Sequence, residues 1–137
     1  MSIKNSLLEQ ADKSLPKLNY AVELQQYAAS VGFDWPNIHG VIDKINEELN
    51  EVTAEINIPN NQDRLLDEIG DLLFVCTNLA RHLNIDPEQA LIAANQKFYQ
   101  RFYALEQIIH TNKQDISQCS LEQLDNIWEQ VKNQQQK

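Results

Sequence analysis

The chain has 137 residues, with 20 acidic and 11 basic side chains and a formal charge of -9. That length fits one domain around a single core. The charge argues against a nucleic-acid backbone or an anionic membrane as the main partner, since both repel such a surface, but it leaves room for a phosphate ligand whose charge a metal ion offsets.

Three Gly and four Pro are few for the turns of an all-β domain. No apolar run approaches the ~18 residues of a membrane span. The opening MSIKNSLLEQADKSLP has no secretory h-region, and Cys76 and Cys119 make no disulfide framework. The expectation is a soluble, cytoplasmic, all-α domain.

In chain order, residues 1–15 read as a polar tail or short separate helix, because Pro16 disfavours helix at Leu15. Leu18, Ala21, Val22, Leu24 and Ala28 predict a first amphipathic helix from Lys17 to about Val31, stopped by Gly32. Phe33-Asp34-Trp35-Pro36 is a short aromatic link. A second helix is expected over about 37–57, with Ile42, Ile45, Leu49, Val52 and Ile56 as its inward stripe. Ile58-Pro59-Asn60-Asn61 breaks it. A third helix follows over about 62–83, with Leu65, Ile69, Leu72, Leu73, Leu79 and Leu83 inward. The short join favours antiparallel neighbours.

Asp86-Pro87 then gives an N-cap and a first-turn proline, with Gln89 at the capping-box position. The fourth helix is expected to run to about His110, with Ala90, Leu91, Ala94, Phe98, Phe102, Leu105 and Ile109 inward. Ser120 with Gln123 opens a last helix to about Lys132, carrying Leu124, Trp128 and Val131. The domain spans 16–132, and residues 133–137 are expected to fray.

The acids carry the chemistry. On the second helix Lys44, Glu48, Glu51 and Glu55 recur at four, three and four, about 100° around from the apolar stripe. Glu47 adjoins them. On the third helix Glu68 and Asp71 share a face, flanked by Asp67. If the two helices pack antiparallel, Glu48 and Glu51 face Glu68 and Asp71. Two carboxylates at ~4 Å repel by about 4 kcal/mol at an effective dielectric of 20. Hard divalent cations relieve such crowding, and an oxygen-only donor set suits Mg²⁺ or Mn²⁺. A Glu-rich helix is ordinarily a solvated face. Here the acids border the apolar stripe and recur on two successive helices, which favours a site.

Lys97 and Arg101, four apart on the fourth helix, suit phosphate oxygens, and Lys44 adds a third cation. Arg64 has two readings, a ligand contact or a pair with Glu68. An ordinary surface ion pair is the alternative for each cation. His39, His82 and His110 form no Glu-x-x-His pair, so the di-iron bundle pattern is missing. Cys76 reads as a small core residue, and Cys119 has no visible activator. Asn78, on the face of Asp71, is a candidate hydrogen-bonding group. Trp128 reads as core or interface, with base stacking as the alternative.

These motifs resemble a known family. Glu47-Glu48-x-x-Glu51 followed by Glu68-x-x-Asp71 is similar to the signature of the MazG-type all-α nucleoside triphosphate pyrophosphohydrolases. VGFDWPNIHGVIDKINEELNEV, DEIGDLLFVCTNLARHLNIDPEQAL, ANQKFYQRF and LEQLDNIWEQVK extend the match to the family's catalytic C-terminal domain, here standing alone, over about 15–132. The resemblance implies a helical bundle assembled as a homodimer, or a higher oligomer. It implies Mg²⁺-dependent hydrolysis of nucleoside triphosphates to monophosphate and pyrophosphate, a house-cleaning activity on the nucleotide pool. Glu48, Glu51, Glu68 and Asp71 would be the metal ligands. Lys44, Glu47, Arg64, Asp67 and Asp71 would lie along the nucleotide, Lys97 and Arg101 would touch phosphates, and Trp128 would border the nucleotide. Glu47 and Glu48 are the catalytic candidates, with Glu47 as the base. The rival readings are a non-catalytic acidic interaction module and a pyrophosphatase restricted to one pyrimidine deoxynucleotide.

Overall fold

The computed structural model describes residues 5–135. Residues 1–4 of the expected tail, and 136–137 at the expected fray, lie outside the described residues. The described residues form five α-helices and no strand: α1 (Lys17–Ser30), α2 (Ile38–Glu55), α3 (Gln62–His82), α4 (Pro87–Thr111) and α5 (Leu121–Gln135), with 3-10 turns at Leu7–Gln10 and Ile116–Gln118. All-α architecture is thus observed. The expected ends hold to within two or three residues, with α5 running on through Gln135 where fraying was expected.

The punctuation works as local chemistry dictates. Gly32 ends α1 with φ at 90°, a conformation open to glycine without Cβ strain. Asn37 caps α2 by accepting the His39 N–H at 3.0 Å. Asp86 caps α4 through Glu88 and Gln89 N–H groups at 2.9 and 3.3 Å. Ser120 and Gln123 close a reciprocal capping box at 3.1 and 2.8 Å.

The chain divides into two compact units, residues 1–90 and 91–137. In the first, α2 and α3 form an extensive helical hairpin, and α1 packs on α3. Buried Gln25 of α1 donates to Thr77 Oγ1 and to the Phe74 carbonyl of α3 at 3.0 and 3.3 Å, which holds α1 in register. Val41, Val52 and Val75 are buried in this unit. In the second unit, Leu105, Ile109 and Val131 make a core packed by Ile108, Leu124, Ile127 and Trp128.

Expectations about facing are corrected on α2, α3 and α4; on α3 the inward set fails at Ile69, Leu73 and Leu83, which are exposed. On α2 the apolar stripe is only partly buried: Val52 is buried and Ile45 half-buried, but Ile42, Leu49 and Ile56 are exposed, while Glu48 is buried at 5 % exposure. On α4 the inward set holds only at its C-terminal end, since Leu91, Phe98 and Phe102 are exposed and Leu105 and Ile109 are buried. On each of these helices the unit covers only part of the apolar stripe and leaves the rest exposed. Cys76 also proves exposed, not core.

Candidate metal centre

The α2–α3 hairpin sets three successive rungs of acid-bearing residues. Nearest the turn, Glu55 Oε1 meets Arg64 Nη2 at 3.2 Å, and the buried Asn61 donates to both the Glu55 carboxylate and its carbonyl. One turn further Glu51 stands beside Glu68. The next rung brings Glu48 to Asp71. The first rung pairs opposite charges; the next two pair like charges.

Carboxylate oxygens of Glu48, Glu68 and Asp71 all lie within 4.8 Å of one another. Glu48 Oε1 is held by Lys44 Nζ at 3.2 Å, and the same ammonium meets Glu47 Oε1 at 3.1 Å. Glu48 Oε2 and Glu68 Oε2 are buried without a partner. Buried, unpaired carboxylate oxygens are costly, and a divalent cation held by Glu48, Glu68 and Asp71 would offset the cost. A purely carboxylate donor set fits Mg²⁺ or Mn²⁺ and suits neither a thiophilic nor an imidazole-seeking metal. The residues present therefore fit the group that the sequence implied.

The electrostatics carry the same signature. Desolvation first, then the charges of Asp67 and Glu48, push the Asp71 carboxyl above the ordinary aspartate range, while Lys44 draws it back. Glu51 is raised by its hydrogen-bonding contact with Glu68, then by desolvation and the Glu68 charge. Glu47 first, then Glu48, hold Lys44 protonated above the usual lysine range through their hydrogen bonds to its ammonium.

The structure brings three of the four expected ligands into one cluster. Glu51 adjoins Glu68 but stands outside it. Glu47 and Asp67 are exposed on the same hairpin. Arg64 pairs with Glu55, so the Glu68 pairing considered from spacing is not the one formed. Asn78 Oδ1 accepts from Arg81 Nε and Nη2 at 3.0 and 2.8 Å. In the second unit Lys97 is exposed on α4, and Arg101 Nε donates to Gln135 Oε1 at 3.3 Å. Trp128 packs against Phe98 with ring centroids 5.6 Å apart, joining the core beside Leu105 and Val131.

Two features escaped the sequence reading. One is the Glu55–Asn61–Arg64 latch; Glu55 continued the acidic stripe but was given no role. The other is Asp34, whose Oδ1 receives Arg81 Nη2 at 2.5 Å, contacts His82 Nε2 at 3.0 Å and accepts the Trp35 N–H at 2.8 Å. This cluster pins the α1–α2 link to the end of α3. Its only sequence signal is a charged residue set inside the aromatic link.

Residues 37–103 match the model of the MazG nucleotide pyrophosphohydrolase domain. The chain is 41 % identical over 133 residues to the nucleoside triphosphate pyrophosphohydrolase of Escherichia coli (strain K12), covering 96 % of this chain and 51 % of that protein. It is 40 % identical over 129 residues to the nucleoside triphosphate pyrophosphohydrolase/pyrophosphatase MazG of Thermotoga maritima, covering 94 % and 49 %. With the uncharacterized protein YabN of Bacillus subtilis the identity is 36 %, over 94 % of this chain and 26 % of that one. The chain thus spans about half the length of the pyrophosphohydrolases it matches. The match covers α2, α3 and most of α4, and the acid-bearing hairpin lies inside it. By sequence and by helical architecture, α2, α3 and most of α4 are similar to the MazG nucleotide pyrophosphohydrolase domain.

Proposed function

We propose that this chain hydrolyses nucleoside triphosphates to the monophosphate and pyrophosphate, with Mg²⁺ as cofactor and Mn²⁺ as a substitute. The observation that carries the reading is the convergence of Glu48, Glu68 and Asp71, two of them with a buried, unpartnered oxygen. Glu48, Glu68 and Asp71, joined by Glu51, would hold the cation. Bound there, Mg²⁺ would neutralise the carboxylates, clamp phosphate oxygens and acidify an attacking water.

The chain's own groups do the rest. Glu47, exposed beside the cluster, is the proposed base for that water's proton. Lys44 would supply positive charge to the phosphates, and Arg64 and Asp67 would line the nucleotide; on α4, Lys97 and Arg101 keep the phosphate role that the resemblance implies. Trp128 borders the nucleotide through its remaining exposed edge. The names of the relatives favour attack that releases pyrophosphate, and the sites of Lys97 and Arg101, one turn apart on α4, suit a departing pyrophosphate.

We further propose a homodimer. Ile42, Leu49, Leu66, Leu73, Ile92, Phe98 and Tyr99 are all exposed on α2, α3 and α4. So much exposed apolar surface on a short chain favours cover by a second copy. No helix of the described residues is long and apolar enough to cross a membrane. We propose a cytoplasmic role, which an activity on the nucleotide pool would require.

The test is a panel of ribo- and deoxynucleoside triphosphates, with and without Mg²⁺, read by product analysis. Monophosphate and pyrophosphate, formed only with metal, are expected. Turnover of a single pyrimidine deoxynucleotide would support the restricted alternative. Folded protein that releases nothing from any nucleotide would leave a non-catalytic interaction module.

A further inference from the structure

Lys44 is placed to do more than touch phosphate. Glu48 is buried, and a buried carboxylate needs a counter-charge. Among the described residues Lys44 is the one cation paired with it, at 3.2 Å. Its side chain is itself two-thirds buried, tied also to Glu47, so the ammonium rests against the cluster and not in bulk solvent. Only Glu48 Oε1 is satisfied this way; Oε2 and the Glu68 Oε2 stay unpartnered. Lys44 therefore neutralises one oxygen of a site that needs more charge than it supplies.

We propose that Lys44 is a tethered counter-cation that competes with the divalent ion for Glu48, so that metal and nucleotide bind cooperatively. The inference rests on the functional reading above and deepens it. A dication at Glu48 meets the positive charge of Lys44 a few ångströms away, which weakens binding of metal alone. A triphosphate offers the ammonium another anionic partner, and a lysine stem is long and flexible enough to turn toward it. As the ammonium leaves, the whole Glu48 carboxylate becomes available to the ion. Linkage makes the effect reciprocal: nucleotide raises metal affinity by the same factor that metal raises nucleotide affinity.

The experiment is a calorimetric titration of Mn²⁺ into the full chain without nucleotide, repeated with a non-hydrolysable triphosphate analogue. The Lys44→Met variant is expected to bind Mn²⁺ alone about two- to fivefold more tightly than wild type, the order expected for removing one partly exposed ion pair. Its gain in Mn²⁺ affinity on adding the analogue is expected to shrink. Lys44→Arg, which keeps the charge, should behave like wild type. Melting curves supply a second readout. Metal-free Lys44→Met should melt below wild type, because Glu48 loses its counter-charge, and should gain more from Mn²⁺.

A lower melting point with no larger metal response would mean that Lys44 is merely structural and would overturn the proposal. So would Lys44→Met binding Mn²⁺ no tighter than wild type. Wild type that binds no Mn²⁺ at all is a different failure, and it sinks the functional reading itself.

Discussion

Asp71→Asn tests the carboxylate cluster through stability alone. The Asp71 carboxylate lies within 4.8 Å of oxygens of both Glu48 and Glu68. At that separation each like-charge pair costs about 3.5 kcal/mol at an effective dielectric of 20. Asp71 is exposed, and solvent screening removes most of that, leaving about 1 kcal/mol. The asparagine keeps the shape and removes the charge. Metal-free Asp71→Asn should therefore melt above wild type at pH 7, by about 4 °C for a chain of this size. With Mg²⁺ at tenfold its dissociation constant, wild type should gain about 1.4 kcal/mol by linkage, while the variant, short of one ligand, gains far less. The order of melting temperatures then reverses between chelator and Mg²⁺. Calorimetry in both buffers reads it directly. A variant less stable than wild type without metal, or one that gains as much from Mg²⁺, would show that these carboxylates do not share an ion.

Asp34→Asn should destabilise the first unit by about 2 kcal/mol, the order for a charge-assisted hydrogen bond in a half-buried cluster. Arg81 first, with help from His82, holds the Asp34 carboxyl below the ordinary aspartate range. Its contribution is thus full above pH 3.8 and is lost as pH falls through the lower folded value, so the melting gap to wild type should close only in acid; a gap that closes near pH 6 would contradict the assignment. Glu55→Gln loosens the turn latch, and is expected to weaken Mn²⁺ binding severalfold with the helical circular dichroism retained; unchanged metal affinity would show that the latch does not set the register of the acids. Phe98→Asp should lower the molar mass seen by light scattering if a second copy covers α4, and an unaltered mass would remove α4 from the interface.

Much of this molecule was readable from its residues. Asp86-Pro87, Ser120 with Gln123, and Gly32 fixed helix ends because capping is local chemistry, complete within four residues. The acids of α2 and α3 were readable as facing one another because helical spacing and a short join dictate an antiparallel hairpin. The burial of Glu48 was not. Periodicity shows that Ile42, Leu49 and Ile56 form a stripe, but it does not say whether the chain's own α3 or another molecule covers it. The same ambiguity misplaced Phe98 and Phe102. Arg64 finding Glu55 and not Glu68 needed the register of the hairpin, and Asp34 with Arg81 is a contact between residues 47 apart, beyond any local pattern.

The claim that side chains of α2 and α3 jointly hold a divalent cation has one most direct test. Crystals grown with Mn²⁺ and a non-hydrolysable triphosphate should show an anomalous peak bounded by carboxylate oxygens of Glu48, Glu68 and Asp71, with the Lys44 ammonium turned off Glu48 toward phosphate. Catalytically active protein whose Mn²⁺ peak lies elsewhere, with Glu48 still paired to Lys44, would contradict it.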